Sequence, residues 1–135
     1  MDKQTKTIEL EFQVRDYELD LQGIVNNAVY QNYLEHARHE FLKMHGLDFN
    51  QLHIEGFDAV VVRAEIEYKK SLKSGEVFLV QTSVEREGRL KIVFNQKIVK
   101  LSDGILILQA KIFTACIRNN RPVEPLLILD KMGLL

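Results

Sequence analysis

Residues 15–44, RDYELDLQGIVNNAVYQNYLEHARHEFLKM, constrain the fold more than any other stretch of the chain. At about 100° per residue, Tyr30, Tyr33, Leu34, Ala37, Phe41 and Met44 fall on one face of a helix. Asn32, His36, His39 and Lys43 fall on the opposite face. Asn26 or Asn27 can cap the start, because a side-chain oxygen there accepts an unpaired backbone N–H. Gly46 can end the helix in a left-handed turn. Two tyrosines and a phenylalanine make the stripe too bulky to leave in water, so a larger apolar surface must cover it. The preceding loop, residues 16–25, then brings carboxylates to the positive end of a buried helix. Helix-end amides stabilise developing negative charge, and a nearby carboxylate can act as a base.

The covering surface is legible downstream. Residues 7–15 alternate, with Ile8, Leu10, Phe12 and Val14 on one face and Glu9, Glu11 and Gln13 on the other. From Asp58, Val60, Val62, Ala64, Ile66 and Tyr68 alternate with charged residues. A basic turn, residues 69–76, leads to a third strand over 77–85. Gly88 in EREGR marks a hairpin into a fourth strand, 90–101. The fifth strand, 105–118, opens with ILIL, apolar on both faces, which suits a central position. Asn119, Asn120, Arg121 and Pro122 form a turn, and the tail PLLILDKMGLL suits a short helix or a packed arm. Residues 46–56 form a connector with room for one helical turn, and residues 1–6 are polar and expected to fray. The order strand, long helix, then antiparallel strands predicts an α+β domain spanning 1–135. An open sheet edge in such a domain invites pairing with a second copy.

Composition excludes several function classes. The formal net charge of −1 offers no general attraction to nucleic acid or an anionic membrane. One cysteine, Cys116, excludes an intrachain disulfide framework and a multi-cysteine metal site. The first residues, MDKQTKTIEL, hold no apolar signal core, so the cytoplasm is the expected location.

The candidate chemistry lies in the acidic loop. Asp20 has a glycine three residues on and stands just ahead of the helix. It can cap the helix or tighten its loop, or it can serve as a base. Asp16 and Glu18 lie nearer the strand and read as solvated or as gatekeepers of a cleft. Glu35 and Arg38, three apart, read as a structural ion pair. His36 and His39 lack the further ligands that zinc requires. Cys116 reads as a core thiol, because no basic neighbour is evident.

The run E-x-D-x-x-G-x-V-N-N-x-x-Y-x-x-Y-L-E-x-A-R, residues 18–38, resembles the 4-hydroxybenzoyl-CoA thioesterase family. I-x-Y-x-x-S-L-x-S-G-E (66–76) and Arg121-Pro122 resemble later family signatures. Glu18 stands where relatives often have a first aspartate, and Ile24 where many have histidine. The resemblance implies a hotdog fold, a long helix wrapped by a five- or six-stranded antiparallel sheet. It implies an acyl-CoA thioesterase with Asp20 as general base or nucleophile and no cofactor. The helix start near Gly23, Ile24 and Val25 would offer amides to the thioester oxygen, and Asn27 would orient the carbonyl or water. Tyr30 and Tyr33 would be core or acyl-pocket wall. Arg89 and Lys91, from the basic set Lys69, Lys70, Lys73, Arg86, Arg89 and Lys91, would meet the coenzyme A phosphates. The site would sit at a dimer interface, in a homodimer or in a homotetramer built as a dimer of dimers. An acyl carrier protein in place of coenzyme A, or a non-catalytic acyl-thioester binding protein, are the alternatives.

Overall fold

A computed structural model describes residues 4–135. Six strands form one antiparallel sheet: β1 (Ile8–Gln13), β2 (Phe57–Tyr68), β3 (Val77–Glu87), β4 (Lys91–Lys100), β5 (Leu106–Arg118) and β6 (Arg121–Val123). The order is β1-β3-β4-β5-β2, with β6 paired to the end of β5. Helix α1 (Asn27–Met44) lies across one face, followed by α2 (Phe49–Ile54); α3 (Leu126–Lys131) closes the chain. This is the hotdog arrangement, a long helix wrapped by a curled sheet.

The core forms between α1 and the inner sheet face. Tyr30, Tyr33, Leu34, Ala37, Phe41 and Leu42 of α1 are buried. They meet Phe78 and Val80 of β3, Phe94 and Ile98 of β4, and Leu108 and Ile112 of β5, all in one apolar cluster. The expected helical stripe holds except at its end. Met44 is 65% exposed, and Leu42 packs inward instead. The helix closes at that point: Leu47 N–H reaches Leu42 C=O, with Gly46 at φ +77°.

Local geometry alters three further expectations. A bulge between Val61 and Arg63 in β2 shifts the alternation. Val61 therefore shares a face with Ala64 and Ile66, while Val60 faces the other way with Arg63. Residues 1–3 lie outside the described residues, but Gln4 and Thr5 do not fray. Gln4 bridges to Glu85, and Thr5 N–H donates to Val84 C=O at 2.9 Å. Asn119 and Asn120, both at positive φ, form a tight two-residue turn, so Arg121 and Pro122 belong to β6 rather than to the turn.

Asn26 is the N-cap of α1, its side-chain oxygen accepting Ala28 N–H at 3.0 Å. Asn26→Ala is expected to cost about 1 kcal/mol, read from the urea midpoint at unchanged slope.

β2 is an outer strand of the sheet, with one edge paired to β5. Val60, Val61 and Val62 along it are exposed. Three apolar side chains beside unpaired backbone groups make the surface on which strand pairing with another copy is favourable.

Candidate active site

The loop carrying Asp20 folds back on itself before α1 begins. Asp20 N–H donates to Ile24 C=O at 2.8 Å, and Gly23 N–H returns to Asp20 C=O at 3.1 Å. Gly23 sits at φ +77°, a conformation costly for residues with a Cβ. One carboxylate oxygen of Asp20 accepts Gln22 N–H at 2.8 Å. Asp20 therefore tightens its own loop and does not cap the helix, which Asn26 does. The half-exposed carboxylate retains its second oxygen for a water or a substrate atom.

The helix-end amides divide into used and unused donors. Gly23 N–H is taken by Asp20, and Val25 N–H donates to Leu72 C=O at 2.9 Å. Neither is free to meet a thioester oxygen, contrary to the expectation for Gly23 and Val25. Val25 is instead a buried anchor. Among the described residues, the amides of Ile24 and Asn27 have no acceptor. Asn27 begins α1, so its N–H points out from the positive helix end. The exposed Asn27 side chain stands at the same place.

Both tyrosines anchor this region from below. The Tyr30 hydroxyl accepts Leu72 N–H at 2.9 Å, and Leu72 in turn holds Val25. Burial raises the Tyr30 pKa, with the charges of Glu76 and Asp20 acting the same way. The Tyr33 hydroxyl donates to Glu18 at 2.8 Å. Glu18 is only 8% exposed, so it is neither solvated nor a gatekeeper. Asp16 pairs with the Ser74 hydroxyl and ties the loop to the basic turn.

Two grooves flank α1. The one toward β2 holds about 220 Å³; Leu34, Val61, Ala64, Ile66 and Ile112 line it together with Gln31, Glu35 and Arg38. The one toward β1 holds about 670 Å³ and is more polar, with Glu11, Arg15, Glu18, Asn32 and His36 on its walls. Tyr33 lines the β1 groove; Tyr30 lines neither.

Arg38 does not pair with Glu35. Its guanidinium donates to Gln96 at 3.1 Å, and burial lowers its pKa. Glu35 instead lies 3.8 Å from His39. Cys116 is a core thiol, its pKa pushed up to about 11 by burial. Among the described residues, no three His, Cys, Asp or Glu side chains group as a metal site. No described helix is long and apolar enough to cross a membrane.

The structure separates Arg89 from Asp20. Arg89 Nε donates to Glu124 at 2.6 Å, and Arg86 adds a second contact at 3.6 Å. Hydrogen bonding to Arg89 holds the Glu124 carboxyl below its usual range. Lys91 is exposed at the start of β4. Both basic residues lie at the Gly88 end of the sheet. Asp20 lies at the other end, because its loop is bonded through Val25 to Leu72, just ahead of β3. β3 spans that gap, about 35 Å at roughly 3.3 Å per residue.

A model of the thioesterase superfamily matches residues 22–107, which take in α1, α2, β2, β3, β4 and the start of β5 but not β1. The chain belongs to the thioesterase superfamily. Asp20 stands two residues before the matched span. Among superfamily relatives, a chloroplastic acyl-acyl carrier protein thioesterase of Arabidopsis thaliana is 42% identical over 103 residues, covering 76% of this chain and 55% of that protein. A second from the same plant is 38% identical over 117 residues, covering 86% and 62%. The chain thus spans just over half of the length of these two relatives. A hypothetical protein of known structure from Aquifex aeolicus superposes with a TM-score of 0.86 at 30% identity, covering 93% of this chain and 98% of that one. The 4-hydroxybenzoyl CoA thioesterase of Pseudomonas sp. strain CBS-3 shares the fold, with a TM-score of 0.84 at 18% identity, covering 93% and 98%.

Proposed function

We propose that the protein hydrolyses an acyl-CoA thioester to a free acid and coenzyme A. The observation that carries this reading is the pairing of Asp20 with unused helix-end donors. A carboxylate oxygen is free in the loop whose Asp20 N–H is bonded to Ile24 C=O, and that loop runs through the unused Ile24 amide to the Asn27 amide at the positive end of α1. Thioester hydrolysis needs a base or nucleophile and a donor set for the tetrahedral oxyanion, and both are present. Asp20 takes the first role, and the Asn27 and Ile24 amides the second. Gly23 shapes the loop and Val25 anchors it. The acyl group lies in the groove between α1 and β2, against its apolar wall of Leu34, Val61, Ala64, Ile66 and Ile112.

The functional unit is at least a homodimer joined along β2. Antiparallel pairing about a two-fold axis sets the end of one β2 beside the beginning of the other. The Asp20 end of one subunit then adjoins the Gly88 end of its partner, which removes the 35 Å obstacle. Arg89 and Lys91 of one subunit thereby serve the phosphates of a substrate cleaved by the other. Arg89→Ala is expected to raise KM about tenfold with kcat within twofold, because phosphate contacts bind ground and transition states alike. An unchanged KM removes Arg89 from the site.

The two Arabidopsis relatives favour a second reading, in which an acyl carrier protein delivers the acyl group. The deciding experiment is free-thiol release from matched acyl-CoA and acyl-carrier substrates of several chain lengths, aromatic acids included. Faster release from coenzyme A supports the first reading, and faster release from the carrier supports the second. No release from either, with measurable binding, supports a non-catalytic acyl-thioester binding protein.

A further inference from the structure

Among the described residues Glu18 is the one buried carboxylate, and its bonds reach three separate pieces of chain. Its Oε1 accepts Arg15 N–H and the Tyr33 hydroxyl, both at 2.8 Å. Its backbone carbonyl accepts Asn26 N–H at 3.1 Å. One residue therefore joins the end of β1, the helix cap and the second turn of α1. Burying a carboxylate is costly unless hydrogen bonds replace water, and these two side-chain bonds do so. The Arg15 guanidinium adds little, since it is largely exposed and 4.0 Å from Oε2.

The other partner is held firmly. The Tyr33 ring packs on Phe78 at 4.8 Å, Phe12 at 5.6 Å and Tyr30 at 6.2 Å between centroids. Its hydroxyl is thus a fixed point of the core. Burial first, then the bond to Glu18, raises the Tyr33 pKa, so its proton stays in place as a donor. Asp20 follows Glu18 by two residues, yet its own side chain bonds only within the loop. Leu21 at the loop tip is fully exposed and offers no anchor.

We propose that the Glu18–Tyr33 hydrogen bond is a latch that sets the Asp20 loop against α1, making Glu18 a positioning residue for thioester cleavage. The proposal rests on the reading of Asp20 as the reacting carboxylate. The latch requires an acceptor oxygen at the right reach, not a charge. Glutamine at position 18 supplies that oxygen. Aspartate is one methylene shorter, about 1.5 Å, and falls short of the hydroxyl.

The test compares Glu18→Gln, Glu18→Asp, Tyr33→Phe and the double variant Glu18→Asp/Tyr33→Phe. Two readouts are taken: steady-state kinetics, and hydrogen exchange at the Asp20, Val25 and Asn26 amides. Tyr33→Phe and Glu18→Asp are each expected to lower kcat about tenfold with KM within twofold, the effect of a slightly misplaced reacting group. The double variant should be no worse than either alone, because all three remove the same contact. Glu18→Gln should keep kcat within about threefold and retain the wild-type pH profile. Exchange at the three loop amides should quicken in Tyr33→Phe and Glu18→Asp, not in Glu18→Gln, while β4 amides stay unchanged. Wild-type kcat in Tyr33→Phe, multiplying effects in the double variant, or a hundredfold loss in Glu18→Gln each overturn the proposal. A wild type that cleaves no acyl thioester defeats the Asp20 reading separately. The exchange rates then decide whether the latch holds the loop at all.

Discussion

Asp20→Asn is expected to lower turnover by about a hundredfold or more on every acyl thioester the protein cleaves. Asparagine keeps the oxygen that accepts Gln22 N–H, so the loop turn survives. It removes the negative charge and the capacity to take a proton or attack the carbonyl. The melting temperature should stay near the wild-type value, because the helix cap is Asn26 and is untouched. Asp20→Ala should lose turnover similarly and also loosen the loop, since no oxygen is left for Gln22. A purely structural Asp20 predicts the opposite order: Asp20→Asn near wild type in every assay, with a stability loss confined to Asp20→Ala. Near-wild-type turnover in Asp20→Asn defeats the mechanism and turns attention to Glu35, the next carboxylate along α1.

The sequence made the long-range plan legible because periodicity is a local record of burial. Ile8, Leu10 and Phe12 alternate with polar residues and form β1; Tyr30 to Phe41 repeat at helical spacing and face the sheet. Both patterns survive folding because no neighbour overrides them. The bulge in β2 is different. One extra residue at Val62 shifts every later side chain in the strand, and nothing in the string VVVRA reveals which valine is extra. Met44 misleads for a related reason: the helical stripe continues on paper, but the chain turns away at Gly46.

The proposed site is legible in its candidate carboxylate and not in its candidate donors. Asp20 stands out by its spacing from Gly23 and from the helix. Which amides remain free depends on long-range bonds, such as Val25 to Leu72, that no local pattern encodes. Glu18 misreads as solvated because charge in a loop ordinarily means exposure. Its hydroxyl partner, Tyr33, lies fifteen residues away. The tyrosine spacing was the available signal: a buried phenol seeks an acceptor, and Glu18 faces its turn of α1. Arg38 illustrates the same limit, since its partner Gln96 lies on β4 and displaces the nearer Glu35.

Val61→Asp is expected to convert dimers to monomers and to lower activity by a hundredfold or more at micromolar concentration. Val61 is exposed on the unpaired side of β2 and faces the groove under α1. A charge there meets its own copy across the two-fold axis, and like charges at close range repel. Val61 also walls the groove assigned to the acyl group, so the activity loss alone does not separate a missing partner from a damaged groove, and subunit mixing is needed to do so. Sedimentation reports the change of mass, and circular dichroism confirms that the monomer keeps its fold. Subunit mixing then asks which parts are shared. Asp20→Asn and Arg89→Ala chains are unfolded together, refolded at equal ratio and assayed well below KM. Random pairing makes half of the dimers mixed, and each mixed dimer holds one site with both native residues. About a quarter of all sites are then intact, so activity should rise several-fold above the mean of the two parents. A mixture that only averages the parents places Asp20 and Arg89 in separate sites. A Val61→Asp monomer with full activity shows that one chain carries the whole site, and the two-subunit reading fails.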